Sequence, residues 1–127
     1  MSDDKLTAAK VGFECVIPIL RVNSLAVSVR YYVDVLGFKV DWGGEVESTF
    51  ASVSRDGRSI MLSQGEQGQP GTWLWIGVED IEPLFAEYRA KGVKFREQPT
   101  NYPWAYEMKI EDPDGHVLRF GSEPLKD

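Results

Sequence analysis

Apolar and polar positions change period along this chain, and the changes repeat. Cys15 to Val22 is an apolar run interrupted by Pro18, which predicts a strand. Pro18 lacks an amide donor, so that strand has an unpaired side, at a sheet edge or at a crossing between subunits. Asn23-Ser24 is a helix-start signal. Leu25, Val29, Tyr32 and Leu36 then recur at helical spacing, and Gly37 supplies the stop. Strands are predicted at 38–42, 48–54 and 58–63, with Gly43-Gly44 in the first connection and Asp56-Gly57 in the second. Residues 64–71 carry no apolar side chain and three glycines, so they read as an exposed linker.

The same order follows a second time. Trp73 to Val78 predicts a strand, and Asp80 is a candidate N-cap. Ile81, Leu84, Phe85 and Tyr88 form a helical stripe that Gly92 ends. Strands are predicted at about 93–97, 105–111 and 116–121, with a two-proline loop from Gln98 to Trp104. Leu25 and Ile81 lie 56 residues apart, as do Tyr32 and Tyr88. The two Asp-Gly turns, in Asp56-Gly57 and Asp112-Pro113-Asp114-Gly115, lie 58 apart. Each half therefore reads strand, helix, strand, strand, strand, a duplicated βαβββ unit of the α+β class. The boundaries drawn from it are a flexible N-terminal tail at 1–12, modules at 13–63 and 72–123 joined by the 64–71 linker, and a tail at 124–127.

Side chains alternate across a strand, so the first and last strand of each half have two faces. One face carries Pro18, Leu20, Val22, Ile60, Leu62, Leu74, Ile76, Val78, Leu118 and Phe120, all apolar, as a helix-packed face requires. The other carries Ile17, Ile19, Arg21, Met61, Ser63, Trp73, Trp75, Gly77, Val117, Arg119 and Gly121. That mixture of indoles, a base and small residues fits a ligand cleft. A second core face or a dimer contact would also accommodate it.

Composition narrows the picture. One domain of 127 residues with 43% hydrophobic residues builds a core without staples. No apolar run is long enough to span a membrane, and the polar first ten residues resemble no export signal, so a cytoplasmic location is expected. The single Cys15 excludes an internal disulfide and reads as a small buried packer. A net charge of −6 argues against nucleic acid and is compatible with a cationic small molecule, or with solubility alone.

Candidate chemistry is sparse. His116, the only histidine, follows a turn glycine and reads as a solvated turn residue rather than a general base. Asp112 and Asp114 are what the turn itself requires. Glu107 is equally consistent with anchoring a cation, pairing with Arg119 or facing water. No phosphate-cradling glycine motif is present.

Val22-Asn23-Ser24-Leu25, Tyr31 to Phe38, Val78-Glu79-Asp80-Ile81 and Asp112-Pro113-Asp114-Gly115 together resemble the vicinal-oxygen-chelate superfamily, over about residues 14–123. Its members include glyoxalase I, extradiol dioxygenases and the bleomycin-resistance proteins. The resemblance implies two βαβββ modules forming a curved mixed eight-stranded sheet with helices on the convex side, completed in a homodimer. In metal-dependent members, first and last strands supply four ligands, and those places fall here on Ile17, Met61, Trp73 and Arg119. None suits a hard or borderline divalent ion. The chain therefore resembles the metal-free bleomycin-resistance branch, which implies no cofactor and no catalytic residue. It implies sequestration of a bulky, aromatic, cationic ligand, such as a bleomycin-class antibiotic, at the dimer interface. Candidate ligand-binding residues are Trp42, Met61, Trp73, Trp75, Trp104, Tyr106, Glu107 and Arg119. A glyoxalase- or dioxygenase-like enzyme of the same fold, and an accessory protein binding an aromatic biosynthetic intermediate, are the alternatives.

Overall fold

The computed structural model describes residues 10–126. The predicted N-terminal tail at 1–12 and C-terminal tail at 124–127 thus lie partly outside the described residues. The first module comprises β1 (Ile19–Arg21), α1 (Leu25–Arg30), β2 (Lys39–Gly43), β3 (Phe50–Arg55) and β4 (Arg58–Ser63). The second comprises β5 (Trp73–Gly77), α2 (Ile81–Ala90), β6 (Lys94–Asn101), β7 (Tyr106–Glu111) and β8 (Val117–Ser122). The modules have the same strand order, β1-β4-β3-β2 and β5-β8-β7-β6, each with one parallel pair between its first and last strands. The two βαβββ units form as expected. Their eight strands are hydrogen-bonded as two sheets of four rather than as one.

Local chemistry explains the element ends. Ser24 Oγ accepts from the Val27 amide at 3.3 Å, and Asp80 Oδ1 accepts from the Glu82 amide at 3.0 Å; each satisfies an otherwise orphaned helix donor. In the turn before β4, Asp56 and Gly57 both have positive φ, the pairing that a tight hairpin needs. Asp112 Oδ1 accepts from the amides of Asp114 and His116, each at 2.9 Å, so this carboxylate builds its own turn.

One core serves both modules. Leu20, Val22, Ile60, Leu62, Leu118 and Phe120 are buried in it with the helix residues Leu25, Tyr32, Ile81 and Tyr88. Leu74, Ile76 and Val78 pack against it while partly exposed. The predicted helix-facing parity is thus the observed one. After Arg30, α1 widens into a π-helical turn over Tyr31–Val35. Tyr32 Oη then donates to Asp112 Oδ2 at 2.8 Å and Tyr31 Oη to the Glu111 carbonyl at 3.2 Å, joining the first helix to the second module. Tyr88 Oη returns the link, donating to the Leu36 carbonyl at 2.8 Å.

Three expectations need correction. Cys15 is exposed, because the ladder starts only at Ile19 and residues 11–16 lie outside it. The two-proline loop is partly strand: β6 runs through Pro99, which an edge strand tolerates at a register shift. His116 is fully buried, not solvated. Its Nδ1 accepts from the Thr72 amide at 2.9 Å while Nε2 lies 2.6 Å from the Arg21 carbonyl, so the ring ties the ends of β1 and β5 together. In the parallel ladders Ile19 stands opposite Met61 and Trp75 opposite Arg119.

Candidate functional site

The face of the second sheet that points away from α2 is built in rows. β8 lies between β5 and β7, so register alone lines up Trp73–Val117–Glu111, then Trp75–Arg119–Lys109, then Gly77–Gly121–Glu107. The third row holds two glycines, and the Trp75 indole lies over them. A Cβ at Gly121 would stand 2.6 Å from Trp75 Cζ2, and one at Gly77 3.0 Å from Cζ3. Neither glycine has positive φ, so the backbone does not demand glycine there; the ring does.

Glu107 fixes the ring's orientation. Its Oε2 accepts from Trp75 Nε1 at 3.1 Å, and its Oε1 accepts from Arg119 Nη2 at 2.8 Å. The carboxylate is 1% exposed while Trp75 remains 56% exposed. The indole therefore lies against the two glycines with Glu107 at its edge, and more than half of the residue stays exposed. Burial pushes the Glu107 carboxyl up, but the hydrogen bonds from Arg119 and Trp75 outweigh it, and the group sits below the usual carboxylate range.

The neighbouring cations are also engaged. Lys109 Nζ pairs with Glu97 at 2.8 Å and lies 5.6 Å from the Tyr102 ring. Tyr102 donates to Glu97 and stacks on Trp104 at 4.7 Å with 12° between planes. Arg96 lies over Trp73 at 5.3 Å and also pairs with Glu111. A groove of about 370 Å³ opens beside Trp75, bounded by Trp104, Glu79, Glu123, Gly77 and Gly121. A hollow of similar size near Gly37 is bounded by Lys39, Ser54, Asp56 and the pair Arg55 and Glu87, which satisfy each other at 2.8 and 3.0 Å.

The matching face of the first sheet is quieter. Ile19, Met61 and Ser52 share a row. Ser52 and Ser54 donate to Asp41, and Trp42 packs against Phe50 at 5.7 Å. The donor set of the first and last strands does not fit a divalent metal: Ile19 with Met61 and Trp75 with Arg119 offer a thioether, a guanidinium and no carboxylate or imidazole. Among the described residues, no three His, Cys, Asp or Glu side chains group closely enough to hold an ion.

The structure brings Trp75, Glu107 and Arg119 together, puts Trp73 on the same face, and sets Trp104 across the shared groove. Met61 and Trp42 belong to the other module. Tyr106 is misassigned as a ligand-binding residue: it is buried on the helix side, where its hydroxyl meets Glu82, and that bond with burial pushes it up to about 12. Parity carried the warning, because Tyr106 alternates with Glu107. Gly77, Gly121, Glu79, Glu123, Glu97 and Lys109 were not singled out as site residues. Gly77 and Gly121 were already visible as the small members of the cleft-facing parity.

Paired βαβββ modules with an open, indole-bearing sheet face define the class. The chain belongs to the Glyoxalase/Bleomycin resistance protein/Dioxygenase superfamily, whose family model matches residues 13–120. Among solved structures it is similar to TnmS3, an antibiotic binding protein from Streptomyces sp. CB03234, at 23% identity and TM-score 0.75, covering 91% of this chain and 99% of that one. TioX from Micromonospora sp. ML1 is similar at 19% identity and TM-score 0.78, over 87% and 99% of the two chains. The bleomycin-binding protein of bleomycin-producing Streptomyces verticillus, complexed with copper(II)-bleomycin, is similar at 27% identity and TM-score 0.75, over 88% and 98%. No curated protein matches.

Proposed function

We propose that this is a metal-free small-molecule binding protein of the bleomycin-resistance type. It sequesters a bulky, aromatic and cationic ligand, of which a bleomycin-class antibiotic is the leading example, without transforming it. The ligand lies in a cleft between the second module of one copy and the first module of another.

The observation that carries this reading is the pair of indoles on the open face of the second sheet: Trp73 is 51% exposed and Trp75 is 56% exposed. Covering the exposed half of each is worth roughly 2–3 kcal/mol at about 25 cal/mol per Å². The shared core holds the helix sides of both modules, which leaves Trp73 and Trp75 on the opposite face of the second sheet, and Trp42 on that of the first, about half exposed, although Ser52 and Ser54 beside Trp42 are buried. A second copy apposes one face of each kind, the aromatic and the serine-lined, in a homodimer. The likeness to the bleomycin-binding protein supports the ligand class. On the open face Arg119 and Lys109 are held in ion pairs with Glu107 and Glu97, which supports binding by the indoles rather than chemistry at those groups.

The test is to mix the purified protein with copper(II)-bleomycin, separate the complex by size, and analyse the released ligand by mass spectrometry. The reading expects stoichiometric co-elution and an unaltered ligand. A chemically changed ligand would favour an enzyme of the same fold.

A further inference from the structure

We propose that residues 64–72 form a strap closed over the free edge of β1, that the neutral ring of His116 clasps it, and that protonation of His116 opens it.

Within the sheets β1 pairs with β4 alone. In that parallel ladder the Met61 amide donates to the Pro18 carbonyl and the Val22 amide to the Ser63 carbonyl, each at 2.9 Å. The backbone groups of Ile19 and Arg21 therefore point the other way, to the side where no strand pairs. An edge of this kind is a template for another strand unless something covers it. Here the strap does. A Cβ on Gly68 would stand 2.6 Å from the Ile19 carbonyl oxygen and 2.8 Å from the Arg21 nitrogen, so the chain passes directly over both groups. Gly68 is partly buried, while the other residues of 64–71 are exposed. Arg21 reaches back from the edge, its Nη2 donating to the Glu66 carbonyl. Upstream the strap is anchored on Gln64, whose amide donates to the Thr49 carbonyl at 2.8 Å and whose Oε1 accepts from the Leu25 amide at 2.7 Å.

His116 joins the downstream end to the same edge. Nδ1 accepts from the Thr72 amide, so it carries no proton. The ring is then the Nε2–H tautomer, and Nε2 donates to the Arg21 carbonyl, the next group along the edge. Protonation would set a second hydrogen on Nδ1 against the Thr72 N–H, inside a fully buried site. The ring is held from the other side, because the His116 amide donates to Asp112 Oδ1. The strap end is the partner that gives way. The charged and titratable groups around the ring have partners of their own. Asp112 Oδ2 accepts from Tyr32, Asp114 from the Asn23 amide, Tyr31 donates to the Glu111 carbonyl, and the Arg21 guanidinium is turned to the strap.

Nitrogen–proton spectra of the 15N-labelled protein, recorded from pH 8 to pH 5, read the ring and the amides together. At pH 8 the ring is expected to be the Nε2–H tautomer. As its resonances report protonation, the Thr72 amide is expected to lose at least about tenfold of its protection from hydrogen exchange, while Met108 and Ile110 in the middle of β7 keep theirs. His116→Gln, which accepts and donates but does not titrate, is expected to abolish that pH dependence. Gly68→Ala presses on the Ile19 carbonyl and is expected to open the strap without acid: a glutamate-specific protease at pH 8 should cut after Glu66 at least about tenfold faster than in wild type. The wild-type spectra decide without either variant. An Nδ1–H tautomer at pH 8, Thr72 protection that survives protonation, or a ring that stays neutral until the β7 amides lose protection would overturn the proposal. So would a pH dependence that persists in His116→Gln, or Gly68→Ala cut no faster than wild type.

Discussion

Glu107 shows how much one side chain does here. It neutralises Arg119, holds the Trp75 ring by its edge and is itself buried. Glu107→Gln keeps an acceptor for the indole but leaves Arg119 without a counter-charge. The charge-assisted bond, discounted for the partial exposure of Arg119, makes the variant about 1 kcal/mol less stable at pH 7. The pH dependence follows from the lowered carboxyl of the folded state. Its stabilisation is present above the usual glutamate range and is lost as pH falls through the lowered value. Urea midpoints should therefore differ between wild type and variant at pH 7 and converge at strongly acidic pH; a gap independent of pH would contradict the assignment. Strand parity showed that residue 107 faces away from Tyr106 and Met108. It did not show that Trp75 and Arg119 lie beside it, because that adjacency depends on strand order. His116 escaped detection for a related reason: its partners Arg21 and Thr72 are 95 and 44 residues away.

Among the elements, α1 and the turn before β8 form the principal junction between modules. The widened turn after Arg30 lets two consecutive tyrosines reach the second module, where Tyr32 donates to a buried carboxylate. Tyr32→Phe removes one donor from Asp112 and should cost about 1–3 kcal/mol, read as a lower urea midpoint with an unchanged slope. Arg55 and Glu87 form a second, half-exposed link between β3 and α2. Arg55→Ala should cost only about 0.5–1 kcal/mol, a loss that 1 M salt diminishes. The helix starts and stops and the Asp-Gly turns were legible because each depends on a local conformational rule. Strand length was less so. Pro99 suggested a loop, yet an edge position and a register shift let β6 pass through it. Cys15 looked like a strand residue because apolar character does not reveal whether a partner strand is present.

At the scale of the molecule, the internal repeat was the strongest signal in the sequence. Its steady offsets matched β1 with β5 and β4 with β8, the strands that form the two equivalent parallel ladders. The grouping into two four-stranded sheets was not legible, since alternation within a strand says nothing about which edges meet. Among the described residues, no helix is long and apolar enough to cross a membrane. The open faces of both sheets lead to one assembly prediction. Sedimentation equilibrium should return a dimer, and adding ligand should tighten it, because ligand bound between two copies stabilises their association. A monomer that binds ligand fully would contradict the shared cleft while leaving the fold unchanged. The central claim is that an indole fixed on a glycine floor holds an aromatic ligand. Calorimetric titration of copper(II)-bleomycin into wild type and Trp75→Ala tests it most directly. The expected result is saturable binding by wild type, weakened at least about tenfold in the variant, as loss of a stacking indole implies. Equal affinity of the two proteins, or no binding by either, would contradict it.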